Sequence, residues 1–153
     1  MLEIGQPAPG FSLPNENDDI ISLKDFKGKK LVLYFYPKDS TPGCTTEAKG
    51  FTALKKEFEA EGAIVLGASK DSIKRHQNFI AKQELTVSLL SDEDGVLCDA
   101  YGVWIMKELY GREYMGIQRA TFLIDEKGII QNVWPKVKVK GHVDAVLEAV
   151  RAL

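Results

Sequence analysis

Cysteine and histidine are scarce in this 153-residue chain, which carries two of each. Two cysteines cannot build the multi-bridge framework of a small secreted domain. The histidines, His76 and His142, are far apart with no ligand-like spacing around them. They read as surface or helix residues, and no metal is expected. Excess charge is missing too: 20 Lys and Arg against 22 Asp and Glu leave a net charge of −2 and a pI near 5.7. No basic field is available to hold nucleic acid or an anionic membrane surface. The longest apolar runs, Leu31 to Tyr36 and Ala63 to Ala68, have the length of strands and cannot span a bilayer. Met1 to Pro9 contains acid and proline but no apolar segment of the secretory type. The expected location is therefore the reducing cytoplasm, where a cysteine is either core filler or chemistry.

What is present is an ordinary globular composition, 44% apolar and 27% charged, enough for one domain with a real core over residues 1–153. Phe11 to Leu13 and Ile20 to Leu23 flank a turn-rich stretch and read as an N-terminal β-hairpin extension. Leu31 to Tyr36 (LVLYFY) and Ala63 to Ala68 read as strands buried on both faces. Between them, Cys44 to Ala60 reads as a helix, with Phe51, Leu54 and Phe58 at helical spacing and Gly62 as the stop. A second helix over Ser72 to Gln83, a strand over Val87 to Leu90 and a helix near Gly95 to Tyr101 follow. Thr121 to Ile124 and Ile130 to Trp134 flank Asp125-Glu-Lys-Gly as a hairpin, and His142 to Ala152 closes the chain with Val143, Val146, Leu147 and Val150 on one helical face. Lys136 to Lys140 (KVKVK) alternates as one solvated strand face would. Parallel βαβ units followed by ββα predict an α/β fold, a thioredoxin-like sandwich with a central mixed β-sheet flanked by helices.

Chemistry concentrates in Pro37-Lys-Asp-Ser-Thr-Pro-Gly-Cys44, which leaves a buried strand and enters a helix. Sites in open α/β sheets form at the carboxyl ends of strands. Gly43 allows close backbone approach, Pro42 fixes one dihedral, and Cys44 falls near the helix N-terminus, where unpaired N–H groups and the helix dipole favour an anion. For a thiol in general, lowering the pKa from about 8.5 to about 6 is worth only about 2 kcal/mol of barrier. A fast thiolate enzyme also needs donors aimed at the substrate atoms on which charge develops as its bond breaks. Thr41 offers a hydroxyl, and a guanidinium would supply fixed charge.

Pro37-x-x-x-Thr41-x-x-Cys44 resembles the active-site signature of peroxiredoxins, and YFYPKDSTPGCTTEA is similar to the Q-type, bacterioferritin comigratory protein subfamily. That family carries an arginine before a late strand, where Gln118-Arg119-Ala-Thr-Phe-Leu-Ile-Asp stands here. The likeness runs from Gly5-Gln-Pro-Ala-Pro to the final helix. It implies a thiol peroxidase in which Cys44 attacks the distal peroxide oxygen and becomes a sulfenic acid. Thr41 would hydrogen-bond thiolate and substrate, and Arg119 would hold the thiolate and polarise the peroxide. Pro37 would shield the nucleophile, with the N–H groups of Gly43 and Cys44 completing the pocket. The resemblance implies no metal or organic cofactor, and a monomer. Glu47, on the first turn after Cys44, reads as a complement to the helix dipole.

Cys98 lies in Gly95-Val-Leu-Cys-Asp-Ala-Tyr101 and reads as a helix residue packed on the core. Q-type members place a resolving cysteine at the position of Lys49 here or near Ile80, and neither is cysteine. Cys98 is a possible resolver, and a one-cysteine cycle the principal expectation, with thioredoxin, glutaredoxin or a small thiol as reductant. A dithiol oxidoreductase would want Cys-x-x-Cys, whereas Thr45-Thr-Glu47 follows Cys44. A peroxide sensor or redox relay using the same Cys44 oxidation is the alternative.

Overall fold

A computed structural model describes all residues, 1–153. Its centre is a five-stranded sheet of β3 (Lys30–Phe35), β4 (Ala63–Ser69), β5 (Ser88–Ser91), β8 (Ala120–Ile124) and β9 (Ile130–Trp134). The order is β5-β4-β3-β8-β9, with β3, β4 and β5 parallel and β8 antiparallel to both its neighbours. This is the mixed sheet and thioredoxin-like arrangement expected from the order of elements. The N-terminal hairpin is present as β1 (Ser12–Pro14) and β2 (Ile20–Ser22).

Side chains of β3 alternate between two cores, as strand geometry requires. Val32, Tyr34 and Tyr36 face one, with Cys44, Phe51, Phe58, Phe79 and the apolar stripe of α5 (His142–Arg151). Leu31, Leu33 and Phe35 face the other, with Leu97, Cys98 and Tyr101 of α4 (Val96–Ala100). Both faces of the strand are therefore sealed, which explains its unbroken apolar run.

Three elements depart from expectation. The helix expected over Cys44 to Ala60 is two, α1 (Pro42–Ala53) and α2 (Lys55–Ala60), because Leu54 leaves helical geometry at φ −102°, ψ 12°. A ribbon of β6 (Trp104–Leu109) and β7 (Arg112–Ile117) fills a region where no element is expected. Tyr110 and Gly111 turn it with φ of 53° and 75°. Lys136 to Lys140 is not a strand face: the Val137 N–H donates to the Arg119 carbonyl, at 2.9 Å, instead of pairing with a neighbouring strand. The remaining helix, α3 (Ile73–Gln83), is capped by Ser72, whose hydroxyl accepts from Arg75 N–H at 3.2 Å.

Candidate active site

The loop 36–41 leaves the carboxyl end of β3, and Pro42 occupies the first helical position of α1, where its missing N–H costs nothing. Cys44 follows within the first turn and is buried, with 1% of its surface exposed. The pairing of β8 with β3 brings Arg119, one residue before β8, across the chain, and its Nη2 lies 3.3 Å from Cys44 Sγ. A Cβ at Gly43 would sit 3.1 Å from the same Nη2, so the absence of a side chain there makes room for the guanidinium. Burial works against the Arg119 charge, but Glu47 and Cys44 more than offset it and hold the group firmly protonated. Pro37 is exposed at the loop entrance.

Thr41 is half-buried, and its hydroxyl donates to the Lys38 carbonyl at 2.8 Å rather than to the sulfur, and it accepts from no helical N–H. Its single proton is thus committed, and the oxygen is left as an acceptor. The Thr41 carbonyl meanwhile accepts from the N–H and the hydroxyl of Thr45, at 2.9 and 2.8 Å.

Glu47 does more than complement a dipole. It is fully buried, and its Oε1 accepts from Arg119 Nη1 at 2.7 Å. Oε2 has no hydrogen-bond partner and lies 3.9 Å from Nε2 of His142, which in turn contacts Thr121 Oγ1 at 2.8 Å. Burial raises Glu47 to about 7 against the pull of Arg119. Burial and the nearby Arg119 charge lower His142 to about 4, so its ring is neutral.

On the other side of the loop stands a second buried polar group that the sequence reading missed. Asp39 accepts from Tyr36 Oη at 2.6 Å and pairs with His76 Nδ1 at 2.7 Å, while the Asp39 N–H donates to Asp71 at 2.8 Å. His76 Nε2 faces the Leu90 carbonyl at 2.9 Å. Both ring nitrogens therefore meet oxygen acceptors, and His76, read from sequence as a surface or helix residue, is a fully buried clasp on α3. His142 is likewise on a helix but buried. Asp39, Asp71 and His76 have ligand-like spacing, yet hydrogen bonds within the protein account for their facing atoms.

Cys98 packs into the core on the opposite face of the sheet from Cys44. Burial, then the Asp92 hydrogen bond and charge, push its thiol far above the ordinary range and so disfavour the thiolate.

Residues 4–133 match the AhpC/TSA family. A Coxiella burnetii relative is 54% identical over 146 residues, covering 95% of this chain and 97% of that protein. The peroxiredoxin Bcp of Bacillus subtilis is 46% identical over 150 residues, covering 98% and 96%. The solved structure of the Xanthomonas campestris bacterioferritin comigratory protein, studied for its alkyl peroxide reduction activity, superposes with a TM-score of 0.89 at 48% identity, covering 93% of this chain and 90% of that one. The chain belongs to the AhpC/TSA family, and within it to the Bcp-type peroxiredoxins, which are thiol-dependent peroxidases.

Proposed function

We propose that this peroxiredoxin reduces hydrogen peroxide and organic hydroperoxides through Cys44 alone, and that an external thiol restores it. The Cys44 thiolate attacks the distal peroxide oxygen, forming an S–O bond as the O–O bond breaks. The electron pair leaves on the proximal oxygen, which takes a proton from solvent to give water or an alcohol. Sulfur is left as a sulfenic acid. A first external thiol then forms a disulfide with Cys44, releasing water, and a second frees the cysteine.

The observation that carries this reading is the Arg119 guanidinium 3.3 Å from Cys44 Sγ at the start of α1. Its fixed charge stabilises both the thiolate and the charge developing on the departing oxygen. The free lone pairs of Thr41 Oγ1 suit the peroxide O–H, and the N–H groups of Gly43 and Cys44 precede the first helical acceptors and remain free for an anion. Pro37 screens the loop entrance. The location of Cys98 across the sheet supports the one-cysteine cycle, since a disulfide needs Cα atoms within roughly 7 Å. We read the working unit as a monomer in a reducing cytoplasm, served by thioredoxin, glutaredoxin or a small thiol.

The test is one equivalent of peroxide added to reduced protein, with intact mass measured beside a sulfenic-acid trap. A gain of one oxygen trapped at Cys44 is expected, and it should disappear in Cys44→Ser. Peroxide consumption surviving in Cys44→Ser would refute the assignment, and loss of two hydrogens with a Cys44–Cys98 bridge would refute the one-cysteine cycle.

A further inference from the structure

The segment 135–141 is anchored to the active site at several points. The Val137 N–H bonds the carbonyl of Arg119. The Val139 Cγ2 comes within 3.9 Å of where a Gly43 Cβ would stand. Directly after it, His142 opens α5 beside Glu47. Val137 and Val139 are turned toward the protein and half-buried, whereas Lys136, Lys138 and Lys140 are exposed. The valine–lysine alternation thus fixes an inner wall of the site and an outer row of three ammonium groups.

Other cations complete the rim. Lys38 is exposed on the loop leading to Cys44. Lys107, on β6, is close enough to feel the charges of both Arg119 and Cys44. Around the site stand five lysines, Lys38, Lys107, Lys136, Lys138 and Lys140, while the charge of Arg119 is taken up by Glu47. Of the acids in the same segments Asp39 is buried in its clasp and Glu108 and Glu113 are exposed on the ribbon. The rim thus gathers lysines in a chain whose net charge is −2. A charge separated in this way steers a partner of opposite sign and raises encounter rates by roughly 10- to 1,000-fold.

We infer that this cationic rim is the docking surface for the reductant, and that the reductant is a dithiol protein with an acidic face around its nucleophilic cysteine. The inference rests on the external-thiol cycle proposed above. Its step is a thiolate of the partner attacking the Cys44 sulfenic sulfur, with the new S–S bond displacing hydroxide, which leaves as water. The partner's second thiol then attacks its own sulfur in that bond and releases the Cys44 thiolate, so the partner is oxidised to a disulfide as Cys44 is reduced. The peroxide, small and uncharged, has no use for an outer row of ammonium groups. Extended chain from Lys136 to Lys140 spans up to about 13 Å, and Lys38 stands on a different loop. A small anionic thiol could engage only part of such a row, whereas a protein face can meet all of it.

The experiment compares wild type with the triple variant Lys136→Glu, Lys138→Glu, Lys140→Glu. Turnover is driven by an acidic thioredoxin, by glutathione and by uncharged dithiothreitol, and single-turnover oxidation by hydrogen peroxide is measured alongside. The expected result is at least a tenfold fall in kcat/KM for thioredoxin, with its salt dependence flattened, and unchanged rates with dithiothreitol and peroxide. An unchanged thioredoxin rate overturns the docking surface. So does a loss confined to glutathione, which would mark a small-anion subsite, or an equal loss with dithiothreitol and peroxide, which would mean that the lysines act on the site itself. Failure of the underlying cycle looks different: wild type would then need Cys98 for turnover, and Cys98→Ser would stop it with every reductant.

Discussion

Replacing Glu47 with glutamine should change how the stability of the fold depends on pH, in a direction the buried pair dictates. In the folded chain Glu47 keeps its proton up to about pH 7, against an ordinary value of 4.5. His142 is the mirror case, accepting a proton only near pH 4 instead of 6.5. Glu47 therefore makes the folded state the better proton binder between pH 4.5 and 7, and stability falls as pH rises through that window. His142 makes the unfolded state the better binder between pH 4 and 6.5, and stability rises with pH there. The two slopes have opposite signs over nearly the same range. Folding in effect moves a proton from the histidine to the carboxyl, and their joint contribution is close to flat from pH 4.5 to 6.5.

At 1.36 kcal/mol per pKa unit, the Glu47 shift corresponds to about 3 kcal/mol. The His142 shift has the same size, about 3 kcal/mol, with the opposite sign. Glu47→Gln keeps the shape and an oxygen for Arg119 but cannot ionise. The variant should match wild type near pH 4, exceed it by up to about 3 kcal/mol at pH 8, and expose the rising His142 slope of about 3 kcal/mol between pH 4 and 6.5. Urea unfolding of both reduced proteins at half-unit steps from pH 4 to 8 measures this, and the difference curve cancels every other titrating group. A difference curve that is flat, or that makes the variant less stable at pH 8, refutes the account of a carboxyl buried at the expense of its charge.

The other expectations are more direct. Arg119→Ala removes the charge 3.3 Å from the sulfur and should slow oxidation by hydrogen peroxide roughly 100-fold or more, read by stopped-flow, on the scale of other transition-state donors. Asp39→Ala strips His76 of its buried partner and should destabilise the fold by about 3–5 kcal/mol in urea. Asp39→Asn can still accept from Tyr36 and keeps a polar amide against His76 Nδ1, so it should lose far less and retain the peroxide rate. A Cβ at Gly50 would meet Val143 Cγ2 at 2.9 Å, so Gly50→Ala should cost about 1–3 kcal/mol by overpacking. Adding Val143→Ala should recover part of that in thermal unfolding, and no recovery would show that the contact is not the cause.

The legible parts of the molecule were those in which a short stretch of sequence carries its own explanation. β3 and β4 are unbroken apolar runs because both faces of each are covered, and the loop at the end of β3 announces itself through Pro37, Thr41, Gly43 and Cys44. Where the alternation of Lys136 to Lys140 suggested a strand, it was reporting something real but narrower. Period two means that alternate side chains face the protein; it does not say that the backbone has a strand to pair with, and here Val137 pairs with Arg119. The β6–β7 ribbon was invisible for the opposite reason, since its two strands are largely exposed and carry no buried stripe to generate a pattern.

The polar residues that were misjudged share one cause. Burial of Glu47 is tolerable because Arg119, 72 positions away, supplies a charge, and burial of Asp39 because His76 lies opposite it. Neither partner lies within any window over which periodicity can be read. Both pairs bracket the nucleophile: Asp39–His76 clasps the loop before Cys44, and Glu47–Arg119, backed by His142, holds the turn after it. An apolar core at these positions would cost less than buried carboxyls and imidazoles. What the polar groups add is direction: Asp39 spends its N–H and carboxylate fixing the loop that carries Thr41, and Glu47 aims the Arg119 fork so that its second nitrogen meets the sulfur. An arginine held from one side only would swing on its long side chain. Held by Glu47 at Nη1, it presents Nη2 to Cys44 before any peroxide arrives, and that preorganisation is what a charge must have to favour the transition state over the ground state.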